Sequence, residues 1–146
     1  MDKVKEELIK MLNRGLELEH AARIQYLAHA EMVRGINAEK IIERLKEIAS
    51  DEGKHEEKFR TLIAGYLGGE PGMGMSKTQA ARELPKILEI NLQNEKEAVD
   101  FYNQIYKKIR ENRENFKYEF STLEHEVRHI IIDEEEHISE LSLLLG

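Results

Sequence analysis

The chain has no cysteine and no tryptophan, only two prolines, and no uninterrupted apolar stretch long enough to span a membrane. Without thiols there is no disulfide framework, no cysteine-type zinc site, no iron–sulfur cluster and no thiol nucleophile. A cytoplasmic setting is the expectation. Met1 to Lys10 is charged throughout rather than basic and then apolar, so neither a signal peptide nor a membrane partner is expected. A formal net charge of -7, with 35% charged residues, argues against nucleic acid as a partner. Nowhere do apolar and polar residues alternate with period two, which argues against strands.

What remains is a chain of 146 residues, the size of one domain, able to bury about two thirds of its unfolded surface without covalent staples. Apolar residues recur at helical spacing in four long blocks, predicting helices over about 2–34, 38–66, 78–111 and 116–145. The first carries Leu8, Leu12, Ala22, Tyr26 and Val33 and stops at Gly35. The second follows Asn37, read as an N-cap, and carries Leu45, Ile48, Phe59 and Leu62. The third tolerates Pro85 near its start and presents Leu88, Leu92, Tyr102, Ile105 and Ile109. The fourth presents Phe116, Leu123, Val127, Ile130 and Leu141. Gly68, Gly69, Pro71, Gly72 and Gly74 mark a flexible connection of about a dozen residues, the one long loop. Extended, it reaches roughly 40 Å, about the length of a 30-residue helix, so it can cross the whole bundle. The predicted fold is an all-α four-helix bundle of two helical pairs joined by a long crossover.

Each of the four stripes is interrupted near its middle by a glutamate where an apolar residue belongs: Glu19, Glu52, Glu95 and Glu134. Two of them carry a histidine one turn on, His55 and His137, on the same face. With 25 glutamates in the chain, the Glu-Xaa-Xaa-His spacing is weak alone, and Glu17/His20 and Glu126/His129 repeat it. Phase separates them. At about 100° per residue His129 lies some 140° from Glu134, and Glu17 some 160° from Glu19. Those two pairs, with His29 and His125, are read as solvated surface residues. Four carboxylates in a low-dielectric core cost several kcal/mol per ion if unpaired, so cations must share the site. Two divalent metals balance the charge; oxygen ligands with one imidazole per metal suit iron or manganese, and also admit zinc.

Leu18-Glu19 through Gln25-Tyr26-Leu27, Asp51-Glu52-Gly53-Lys54-His55, Leu92 to Glu95, and Asp133-Glu134-Glu135-Glu136-His137-Ile138 together resemble bacterioferritin, of the ferritin-like di-iron carboxylate superfamily. The resemblance implies a ferritin-like domain over 1–146. Glu52 and Glu134 would bridge two irons, Glu19 and His55 would complete one, Glu95 and His137 the other, and Tyr26 would donate a hydrogen bond from just outside. It implies a ferroxidase that oxidises Fe(II) with dioxygen or hydrogen peroxide in iron homeostasis and oxidative-stress protection. Haem is not expected, because Gly53 stands where that family places its haem-ligating methionine. The chain ends at Gly146 directly after the fourth helix, so the family's fifth helix, and with it cage assembly, is not expected either. A homo-oligomer, at least a dimer, is expected from the mixed outer faces. Two other readings stay open: a rubrerythrin-like peroxide reductase fed by an electron-donor protein, and a non-enzymatic metal-binding or assembly module.

Overall fold

The computed structural model describes residues 2–146. Helix α1 (Lys3–Ala30) starts at Asp2, whose carboxylate accepts the backbone N–H groups of Val4 at 2.7 Å and Lys5 at 3.4 Å, satisfying donors that the first turn leaves free. It stops earlier than the apolar period suggests. The N–H groups of Met32 and Val33 bond three residues back, to His29 and Ala30, and the chain turns through Gly35 at φ +101°. Helix α2 (Ala38–Arg60) follows. Asn37 precedes it in a left-handed conformation (φ 67°), and its side chain makes no capping bond, contrary to its expected role. Residues Thr61–Tyr66 continue α2 as a π-helical turn.

Helix α3 (Leu84–Glu111) begins well after the expected residue 78. Pro85 lies in its first turn, where a missing N–H does no harm but where its ring bars helix upstream, and Glu83 is extended. The fourth predicted helix is also shorter: Arg113–Phe116 forms a 3-10 turn that buries Phe116, and α4 runs Phe120–Leu145. No strand occurs among the described residues.

Ion pairs at the two ends fix the directions. Lys5 meets Glu119 at 3.3 Å and Glu7 meets Lys108 at one end, while Arg44 meets Glu140 at 3.5 Å at the other. Helices α1 and α4 therefore run one way and α2 and α3 the other, which requires the 67–83 crossover to travel the bundle's length.

That crossover is strapped to α1 rather than free. Gly72 N–H donates to Asn13 at 2.7 Å, His20 Nδ1 lies 2.7 Å from the Gly74 carbonyl, and Ser76 N–H donates to the Glu17 carbonyl at 3.1 Å. Gln79 N–H then donates to Gln25 at 2.8 Å, and the Gln79 carbonyl lies 2.6 Å from His29 Nε2. His20 and His29 are thus not the solvated residues their phase implies. His29 is buried under the crossover, its Nδ1 2.9 Å from the Asn91 amide.

The core has two apolar layers. One contains Leu8, Leu12, Phe59, Ile105, Leu123 and Val127, the other Leu45, Ile48, Ile87, Leu88 and Leu141. Each fully buried aliphatic side chain contributes about 1.5–3 kcal/mol. The interrupted stripes meet between these layers, so apolar packing above and below holds a polar middle in place.

Candidate metal centre

Glu19, Glu52, His55, Glu95, Glu134 and His137 are all at most 2% exposed, although four are acids and none meets a lysine or arginine. The structure brings the six together. His55 Nδ1 lies 3.4 Å from Glu19, 3.3 Å from Glu52 and 3.4 Å from Glu134; His137 Nδ1 lies 2.8 Å from Glu95, 3.1 Å from Glu134 and 3.6 Å from Glu52. Glu19, Glu52, His55 and Glu134 form one group whose ligand-type atoms all lie within 4.8 Å of one another. Glu52, Glu95, Glu134 and His137 form a second. Glu52 and Glu134 belong to both, so the arrangement is two coordination spheres sharing two carboxylates.

Several of these atoms, though close to an oppositely charged neighbour, make no hydrogen bond within the protein: Glu19 Oε2, both oxygens of Glu52, Glu134 Oε1 and His55 Nδ1. Buried polar atoms are normally satisfied. Orphaned oxygens and an orphaned imidazole nitrogen facing one point fit divalent cations, and the donor set of carboxylates with one imidazole each suits iron, manganese or zinc.

Electrostatics express the same strain. Burial, then the charge of Glu134, pushes Glu19 up to about 8 and Glu95 up to about 7. Burial with three acidic neighbours pushes Glu52 well above the carboxylate range. Burial would raise Glu134 too, but the imidazoles of His137, 3.1 Å away, and His55 hold it below its usual value. Burial would depress both histidines. Asp133 and Glu19 outweigh it at His55, raising it to about 10; Glu134 and Glu95 outweigh it at His137, raising it to about 12. Without cations the site balances itself with imidazolium charge and carboxyl protons.

Three contributors escaped the sequence reading. Asp133 lies 2.9 Å from His55 Nε2, and Asp51 3.0 Å from His137 Nε2. Each aspartate receives the outer ring nitrogen, which orients the imidazole and leaves Nδ1 aimed at the glutamates, the arrangement that positions metal-bound histidines. In the sequence each aspartate directly precedes the glutamate of a Glu-Xaa-Xaa-His, which marks its position but not that it serves the histidine of the other helix. Tyr102, read as an apolar stripe residue, donates its hydroxyl to Glu19 at 2.8 Å. Tyr26, expected to be the donor, is buried with its hydroxyl unbonded. Gly15 makes room for Tyr102: a Cβ there would stand 3.2 Å from the Tyr102 ring and 3.1 Å from Phe59.

A cavity of about 500 Å³ between α1, α3 and the crossover reaches the four glutamates, with Ala22 and Ala98 in its wall and Arg14, Met75 and Lys77 toward solvent.

Antiparallel helix pairs, a long crossover, and a core of glutamates with two Glu-Xaa-Xaa-His pairs define the class of carboxylate-centred four-helix bundles. The chain belongs to the ferritin-like domain family, whose profile matches residues 9–146. It is similar to a ferritin-like di-iron carboxylate protein from Bacillus anthracis, at 27% identity and a TM-score of 0.90 over 100% of both chains. The bacterioferritin of Desulfovibrio desulfuricans, described with its di-iron site in different catalytic states, matches at 24% identity and a TM-score of 0.86, over 97% of this chain and 80% of that one. That of Rhodobacter capsulatus, described with a metal-free dinuclear site and haem iron, matches at 21% and 0.82, over 96% and 84%. No curated protein sequence matches the chain.

Proposed function

We propose that the protein binds two iron ions between Glu19, Glu52, His55, Glu95, Glu134 and His137 and oxidises Fe(II) with dioxygen or hydrogen peroxide, in iron homeostasis and protection from oxidative stress. The observation that carries this reading is the pair of four-residue groups sharing Glu52 and Glu134, with buried oxygens that nothing in the protein satisfies. Its support from relatives is the di-iron description of the Bacillus anthracis protein.

As substrate, two Fe(II) ions give up one electron each, together the pair that reduces dioxygen to peroxide or peroxide to water. The four glutamates favour the higher charge of Fe(III), which drives the oxidation. Asp51 and Asp133 hold the histidines so that Nδ1 is the atom presented, and the protons displaced from Glu19, Glu95 and the imidazoles leave as cations enter. Tyr102 holds one oxygen of Glu19, fixing the direction of the other. Ile48 and Ile130, buried one turn from Glu52 and Glu134, exclude bulk water from that side.

Adding Fe(II) aerobically to metal-free protein should produce ferric ultraviolet absorbance well ahead of the buffer, and E52Q should abolish the difference. Oxidation no faster than in buffer would remove this role. Peroxide consumption that requires a reductase, with iron retained, would instead favour the rubrerythrin-like reading.

A further inference from the structure

The exposed face of α4 carries a second set of metal-ligating side chains, outside the buried centre. His125 and His129 are both exposed and stand one turn apart, their ring centroids 4.2 Å from each other and their planes 35° apart. Two ring nitrogens sharing a cation at about 2.0–2.1 Å each must approach to about 3 Å. Rings this close reach that by side-chain rotation alone.

The segment His125-Glu126-Val127-Arg128-His129 has the spacing by which a helix offers two imidazoles to one metal. In that motif the glutamate also serves as a base. Here Glu126 is tied to Lys58 at 2.5 Å, so binding rather than hydrolysis is the chemistry left. Nearby positive charge is quenched as well: Lys58 by Glu126, and Arg128 by Glu124 at 2.6 Å.

One turn beyond His129 is Asp133, half exposed, whose carboxylate holds His55 of the centre at 2.9 Å. A single helix face thus runs from His125 through His129 to Asp133, and from there to a residue of the buried site.

We propose that His125 and His129 bind a divalent transition-metal cation at the surface of α4, and that this outer site passes its ion by way of Asp133 to the buried centre. Imidazole ligands select Fe(II), Co(II), Zn(II) and Cu(II) over Mg(II) or Ca(II). Two protein ligands with water completing the sphere hold the ion weakly, as suits a site that must release it. The binding step stands by itself; the transfer step rests on the buried centre being a metal site.

Both are tested by titrating metal-free full-length protein with Co(II), following the metal's visible absorbance, in the wild type, H125Q/H129Q and E52Q. Wild type should take up two ions tightly and one weakly. H125Q/H129Q should lose the weak ion alone, and E52Q should keep it while losing the tight pair. An unchanged weak ion in H125Q/H129Q would overturn the outer site. A wild type that binds the weak ion but no tight pair would instead overturn the buried centre. Stopped-flow loading at low Co(II) should be about tenfold slower in H125Q/H129Q, since an outer site raises the local cation concentration. Equal loading rates would overturn the transfer step.

Discussion

Replacing Glu19 with glutamine should make the metal-free protein more stable at neutral pH, although it removes a residue from the site. Glu19 is fully buried and its carboxyl is pushed up to about 8, from an ordinary 4.5. A folded-state value above the unfolded one means that stability is full below 4.5 and is lost as pH rises toward 8. At pH 7 the interval from 4.5 amounts to about 3 kcal/mol, at 1.36 kcal/mol per pH unit. Glutamine copies the protonated carboxyl in shape, still accepts the Tyr102 hydroxyl, and has no charge to lose. Metal-free E19Q should therefore match the wild type at pH 4 and exceed it by about 3 kcal/mol at pH 7, a midpoint rise on the order of 10 °C for a chain this long. Urea and thermal unfolding by circular dichroism, with chelator present, reads both values. With saturating Zn(II) the order should reverse, because the variant lacks a ligand and gains less from binding. A metal-free variant no more stable than the wild type at pH 7, with the same dependence on pH, would refute the reasoning.

The remaining predictions concern groups around the centre. Asp133→Asn weakens the acceptor that orients His55 and should lower metal affinity about 10- to 100-fold, as measured by competition with a chromophoric chelator. Metal binding should release protons at pH 7, because His55 and His137, raised to about 10 and about 12, must give them up; affinity should accordingly climb as pH rises, and calorimetry in buffers of different ionisation enthalpy counts the protons. His29→Leu leaves the Gln79 carbonyl without its imidazole partner and the Asn91 amide with one partner fewer, and should cost about 1–3 kcal/mol in urea unfolding.

The six buried acids and imidazoles were legible because a helix repeats every 3.6 residues, so a glutamate among leucines at that spacing betrays a polar spot in a core. The crossover was legible from its glycines and Pro71. What surrounds the centre was not. Asp51 holds the histidine of α4 and Asp133 that of α2, an exchange across helices that no spacing within one helix encodes. Tyr26 and Tyr102 both lie on apolar stripes, and only the packing that brings Tyr102 against Gly15 decides which hydroxyl reaches Glu19. His29 was misplaced because its phase describes α1 alone, whereas the crossover laid over that face buries it. The start of α3 was set by Pro85, which the apolar period overran.

The most direct test is anomalous X-ray scattering at the iron edge from crystals of iron-loaded protein. Two iron peaks per chain within the bundle, both in contact with Glu52 and Glu134, one also with Glu19 and His55 and the other with Glu95 and His137, are the expected result. A core with no iron, with a single ion, or with iron held by other residues would contradict the two-sphere centre.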